Sequence, residues 1–348
     1  MPTITSQQPR GVHLVGSLPN DRFPTVADVF SVVPKVLSRR LKRIPNGELG
    51  NRNLYITWQE AVFPNHILKR TVVQNGGTLP ESSDTLELRD LKPVMYDDAA
   101  IASYRSFVEA RAAGTIPADV RFQVSLPSPI EPLAAFVHES FQKAAAPLYE
   151  KQLMLALERI QREIPPKDLA IQWDVAVTVA LIESKRGRLD NPLFTCCFDD
   201  PLRYNIKALG RMAAAVKPEV DMGFHLCYGD INHQHFVEPE DISVMVEISK
   251  GLLRQIYMPV PKKRTDQGYF TPLTMLQLPP DTELFLSVLH PDGLKNTIER
   301  IKSAQNAAPK EFRVATECSL GRTKGREGDI LLNIAVQVSN PYISCKLK

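Results

Sequence analysis

The segment Gly223-Phe-His-Leu-Cys-Tyr-Gly-Asp230 puts His225 and Cys227 on alternate residues, and Ala315-Thr-Glu-Cys-Ser-Leu-Gly321 supplies Cys318 far downstream. One imidazole and two thiols are a donor set for zinc that leaves a fourth position open, the pattern of a catalytic metal. His-x-Cys at a strand end turns both side chains to the same side of the pleat, toward one ion. His233 and His235, in Asp230-Ile-Asn-His-Gln-His235, are the alternative imidazoles.

The elements that must position these residues follow from periodicity. Short aliphatic or β-branched runs that end in polar, Gly or Pro residues occur at Val12–Leu18, Leu41–Glu48, Val120–Leu126, Leu169–Val177, Val220–Cys227, Leu253–Val260, Leu284–His290 and Phe312–Cys318. Helical patterns lie between them, including Val26–Arg40, Asp97–Ala113, Glu131–Arg162, Pro201–Val216, Pro239–Gly251 and Gly293–Ala304. Strand and helix in alternation predict a parallel sheet, and eight repeats predict a (β/α)8 TIM barrel in one domain spanning 1–348.

A doubly wound open sheet shares the alternation, but the polar residues favour the barrel. Ser17, Glu48, Asp174, His225, Cys227, His290 and Cys318 all fall at or just past strand C-termini, the rim where barrel active sites form. The long connection from about Asn51 to Pro93, with the turn-rich Gln74–Ser83, is expected to make an extended β2–α2 flap over one side of that rim.

Composition narrows the partners. The chain has 348 residues, 43% hydrophobic and 23% charged, enough for a large core in a soluble globular protein. With 42 basic and 39 acidic residues the net charge is only +3, so neither nucleic acid nor an anionic membrane is expected, and small molecules become the default. The five cysteines, with Cys196 and Cys197 adjacent, do not form the framework of a disulfide-rich secreted domain. The first residues lack an apolar signal core, so a cytoplasmic location is expected.

Several separate motifs, in order along the chain, carry a family resemblance. His225-Leu-Cys-Tyr228 resembles the zinc-binding His-x-Cys-Tyr of the C-terminal catalytic half of cobalamin-independent methionine synthase, within the wider methionine synthase and uroporphyrinogen decarboxylase-like barrels. Glu317-Cys-Ser-Leu-Gly-Arg322 is similar to its Asp-Cys-Gly-Leu-Lys segment, Val15-Gly-Ser-Leu-Pro19 to its Ile-Gly-Ser-Phe-Pro, Asn46-Gly-Glu-Leu-Gly50 to its His-Gly-Glu, and Ile171-Gln-Trp-Asp174 to its Ile-Gln-Ile-Asp.

The resemblance implies a zinc-dependent transferase that moves a methyl or small alkyl group to or from a thiol. A homocysteine-like amino thiol would be acceptor, and a methyl or alkyl donor its partner. It implies His225, Cys227 and Cys318 as zinc ligands, and Ser17, Glu48 and Asp174 around the amino acid, the two carboxylates on its ammonium group. His290, in Val288-Leu-His-Pro-Asp292, falls where the family has Ile-His-Ser-Pro, so His290 and Asp174 are the expected catalytic residues.

The chain departs from the family at three points. Pro259 stands where a glutamate ligand belongs, leaving three protein ligands, as in related corrinoid-dependent thiol methyltransferases that also resemble His-x-Cys with a distant Cys. Ser125-Leu-Pro-Ser-Pro-Ile130 and Leu133 replace the family's Thr-Gly-Pro and pterin-facing tryptophan. The second, N-terminal barrel of the familiar methionine synthases has no counterpart in these residues. Lys262-Lys-Arg264 is either a solvated surface run or a clamp for a donor's anionic tail. Two other readings of the same barrel stay open: a metal-independent lyase or decarboxylase of the uroporphyrinogen decarboxylase-like branch, and a metabolite-binding barrel without turnover.

Overall fold

The structure, a computed structural model, describes residues 8–79, 86–189, 193–229, 234–252 and 255–342. Eight parallel strands form the wall: β1 (Val12–His13), β2 (Arg43–Pro45), β3 (Arg121–Pro127), β4 (Leu169–Val175), β5 (Asp221–Leu226), β6 (Gln255–Pro259), β7 (Leu284–Leu289) and β8 (Phe312–Thr316). They are laced in the order β1-β8-β7-β6-β5-β4-β3-β2. Helices lie between successive strands, so this is the expected TIM barrel. Among the described residues no helix is long and apolar enough to cross a membrane.

Ladders join every neighbouring pair except β1 and β2. Closure there rests on an isolated parallel bridge between Ser17 and Gly47, with the Leu18 amide donating to the Gly47 carbonyl at 2.8 Å, and on the Val12 amide, which donates to the Arg40 carbonyl at 2.8 Å. The seam therefore passes through two of the segments that carry site residues.

Local signals explain most boundaries. Thr25 and Asp28 form a capping box that starts the helix Val26–Val36, and Asp200 caps Pro201–Ala214, whose first residue is a proline. The helical pattern Glu131–Arg162 is in fact two helices, Ile130–Phe136 and Glu139–Glu163. Val137 bridges to Leu68 and the His138 amide donates to the Ile67 carbonyl at 2.9 Å, so the docked flap holds these two residues extended. β4 stops two residues before the expected Val177. There the buried Glu131 carboxylate accepts the amides of Ala176, Val177 and Thr178 and starts the helix Val177–Lys185.

The flap is a chain of short 3₁₀ helices, Gly50–Leu54, Thr57–Val62 and Asn65–Ile67, followed by the helix Lys69–Gln74. Gln59 anchors it, fully buried, accepting from the Tyr149 hydroxyl at 2.7 Å and donating to the Val94 carbonyl at 3.1 Å. Part of the turn-rich Gln74–Ser83 stretch lies outside the described residues.

The barrel interior is unusually polar. His13 stacks on Tyr257 with ring centroids 3.9 Å apart and meets the Gln172 side-chain oxygen at 2.8 Å, while the Gln123 side chain donates to the Val15 carbonyl at 2.8 Å. At the N-terminal end Arg43 is paired with both Asp221 and Glu283, and Lys42 and Arg313 also reach Glu283. This ionic plug closes the end away from the expected site.

Candidate metal centre and substrate cavity

His225 lies in β5 and Cys227 just past its end, where the Cys227 amide donates to the Val175 carbonyl at 2.9 Å. Cys318 arrives from the turn after β8. The ligand atoms of the three lie within 4.8 Å of one another. The two sulfurs are 2.7 Å apart, and the Gly229 amide points at the Cys227 sulfur from 3.3 Å.

The hydrogen bond with Cys318 does most to bring the Cys227 thiol down to about 5; burial opposes it, and His225 adds to the lowering. His225 Nδ1 is buried without a hydrogen-bond partner, an arrangement that ordinarily costs about 1–3 kcal/mol. An orphaned imidazole nitrogen beside a readily ionised thiol and a second sulfur fits a zinc ion. Zinc would be held by the two sulfurs and this nitrogen, a donor set it prefers. Among the described residues no carboxylate joins the cluster. Pro259 offers only its carbonyl, which accepts from the Tyr269 hydroxyl at 2.9 Å.

Glu48 and Asp174 stand beside this cluster. Gly47 and Glu48 both have positive φ, 83° and 43°, and Glu48 pays for its left-handed backbone in exchange for its placement against β1. Its carboxylate lies so close over Gly16 that a Cβ there would sit 2.8 Å from Oε1, which accounts for the glycine of Val15-Gly-Ser17. Asp174 Oδ1 accepts from the Gln172 side chain at 2.8 Å.

Burial raises the pKa of Glu48, against the pull of Arg52 and Ser125, and pushes Asp174 well above the usual carboxylate range, helped by the charge of Glu48. Two enclosed carboxylates that resist joint ionisation attract a cation.

Ser17, Glu48, Asp174, His225, Cys227 and Cys318 all line one cavity of about 350 Å³. The structure thus brings together six of the seven residues singled out from the sequence. Arg322, the last residue of the Glu317–Arg322 motif, also lines it, as do Asn53 and Tyr55, which carried no signal in the sequence. Tyr55 donates to the Asp174 main-chain carbonyl at 3.3 Å, and Asn53 to that of Leu18 at 2.9 Å. Behind Glu48 and Asp174 a pocket of about 20 Å³, bordered by Arg52 and Trp58, has room for a water.

His290 is the exception. It is buried outside the cavity lining, with Nε2 2.6 Å from the Val260 carbonyl and Nδ1 3.5 Å from Glu317. Burial lowers its pKa, partly offset by Glu317. Glu317 also meets His235 Nε2 at 2.9 Å. Burial of His235 disfavours its charge, but Glu317 and Glu238 outweigh this and raise it to about 9. A histidine so engaged is not one of the clustered ligands, and His233 lies outside the described residues. Within Lys262-Lys-Arg264, Arg264 is committed to Asp266 at 2.8 Å and to the Pro239 carbonyl at 3.0 Å, and none of the three lines the cavity.

No family model matches the chain, and no curated protein matches it. Among solved structures it is similar to a B12-independent methionine synthase from Shewanella sp. W3-18-1 in complex with selenomethionine. That match has a TM-score of 0.60 and 12% identity, over 95% of this chain and 96% of that one. It is also similar to a Listeria monocytogenes protein assigned as a vitamin-B12-independent methionine synthase, with a TM-score of 0.53 and 13% identity, over 96% and 98% of the two chains. At this identity the likeness speaks for architecture: the chain has the fold of the B12-independent methionine synthases.

Proposed function

We propose that the protein is a zinc-dependent transferase of the cobalamin-independent methionine synthase type, moving a methyl or small alkyl group to or from the thiol of a homocysteine-like amino acid. The observation that carries this reading is the convergence, in one cavity, of the His225, Cys227 and Cys318 donor set with the enclosed carboxylates Glu48 and Asp174. A fold neighbour that binds selenomethionine supports it.

In this reading Glu48 and Asp174 take the substrate ammonium, which supplies the positive charge their burial calls for. Ser17 and Arg322, on the same wall, face the substrate carboxylate. His225, Cys227 and Cys318 would hold zinc, which when bound lowers the pKa of a thiol and presents it as thiolate at neutral pH. Asp174, raised well above the usual range, can hold a proton that it surrenders when the ammonium arrives. His290 reaches the site only through Glu317, next to Cys318, and serves to position that turn.

Metal analysis of the purified, reduced protein tests the reading. About one zinc per chain is expected, with Cys227→Ser and Cys318→Ser each losing most of it. Glu48→Gln is expected to keep the zinc and weaken homocysteine binding at least about tenfold. Unchanged zinc in both cysteine variants would sink the site.

A further inference from the structure

The cavity has a second character that its amino-acid end does not explain. Its wall also includes Ile56, Phe136, Val177, Phe194 and Phe236. Ile56, Val177 and Phe194 belong to a hydrophobic cluster separate from the main core of the barrel, and Phe136 and Phe236 pack against it. Phe194 and Phe236 meet edge to face with centroids 4.8 Å apart. The Phe236 ring covers Gly229, two residues past Cys227, so closely that a Cβ there would come within 2.4 Å of three ring carbons. An aromatic side chain is thereby brought over the turn that follows a candidate metal ligand. None of these five residues can pair with a carboxylate or a phosphate. What they offer is apolar area awaiting an apolar partner.

We infer that the site binds amino-acid thioethers whose sulfur carries an alkyl group longer than methyl, with the chain lying between Ile56, Val177, Phe194 and Phe236. The inference rests on the amino-thiol reading and adds the size of the group on the sulfur. The position of the aromatic pair sets it. Glu48 and Asp174 fix the amino end, Cys227 and Cys318 mark the sulfur, and the Phe236 ring, packed over Gly229, stands beside the Cys227 turn. A methyl group fills a small part of a cavity of about 350 Å³. A polyanionic donor body would meet no cation among these five lobe residues, and neither tryptophan of the chain lines the cavity.

Titration calorimetry of the full chain supplied with zinc tests this, using methionine, ethionine, S-butylhomocysteine and S-benzylhomocysteine as probes. Each added methylene is expected to tighten binding about two- to fourfold, so the butyl compound should bind roughly tenfold or more tighter than methionine. Phe236→Ala should remove most of that gain. Affinity that stays flat or falls from methyl to butyl, while methionine binds and is weakened by Glu48→Gln, would overturn the lobe and leave the amino-thiol reading standing. Failure of all four probes to bind would overturn both. The wild-type series is sufficient by itself where a variant fails to fold.

Discussion

At the N-terminal end of the barrel Glu283 is held by Arg43, Arg313 and Lys42, whereas at the C-terminal end Glu48 and Asp174 line one cavity, where Arg52 and Arg322 act on Glu48 without overcoming its burial. Burial acts on all three carboxyls in the same direction. At Glu283 the cations overcome it and bring the group down to about 2, while at Asp174 burial prevails and the group rises well above its ordinary value. One end is a finished ionic structure and the other an unfinished one. The difference separates charge used to hold the fold from charge kept for a ligand, a distinction that burial alone does not make.

The contrast can be broken most forcefully at the plug. Glu283→Ala leaves Arg43, only 6% exposed, without its second carboxylate, and a loss of about 3–5 kcal/mol in unfolding free energy is expected by denaturant titration. A loss under about 1 kcal/mol would mean that the plug is as dispensable as a surface pair.

The opposite sign is expected at the rim. Asp174→Asn keeps an oxygen to accept from Gln172 and removes a charge that burial disfavours, so stability at pH 8 should rise by about 1 kcal/mol while homocysteine binding is lost. Destabilisation by this variant would contradict the account of the rim.

The smallest effect is the pH dependence. Because the folded pKa of Asp174 is raised, the native state binds the proton more tightly than the unfolded chain. Wild-type stability should therefore slope down as pH rises from the ordinary carboxylate range through the raised value. Glu283 has the reverse sign: its contribution is complete above its ordinary value of 4.5 and is lost as pH falls toward about 2. Unfolding titrations over a pH series should show Asp174→Asn flattening the upper slope and Glu283→Ala the lower.

The sequence alone exposed the barrel because each strand is a short aliphatic run ending in a polar residue, and every observed strand begins within about two residues of its expected start. It exposed the rim because Ser17, Glu48, Asp174, His225, Cys227 and Cys318 share one topological position. It overran β1, whose run Val12–Leu18 keeps only Val12 and His13 as strand, because the remaining residues have no ladder beside them. The break at Val137 and His138 is imposed by a flap residue remote in the chain, so local periodicity carries no trace of it. Asn53 sits in a short 3₁₀ helix and Tyr55 just past it, with no repeat to mark them, and the Arg43 to Glu283 pairing joins strand ends that individually look like solvated charges. His290 has the right position along its strand, but its ring is turned to the Val260 carbonyl, a side-chain choice that strand position does not fix.

The seam between β1 and β2 gives the barrel a mechanical asymmetry. Elsewhere the hoop is sewn by ladders, but here it is buttoned at Ser17 and Gly47 and, lower down, by the Val12 amide on the Arg40 carbonyl. Ser17 is half of the upper button, Glu48 follows its other half, and both face the cavity. A molecule gripping both therefore works as a further button, and the grip of the ligand and the tension of the hoop become a single quantity. Lengthening either segment by one residue, harmless in an ordinary loop, would here unfasten the wall and empty the cavity together.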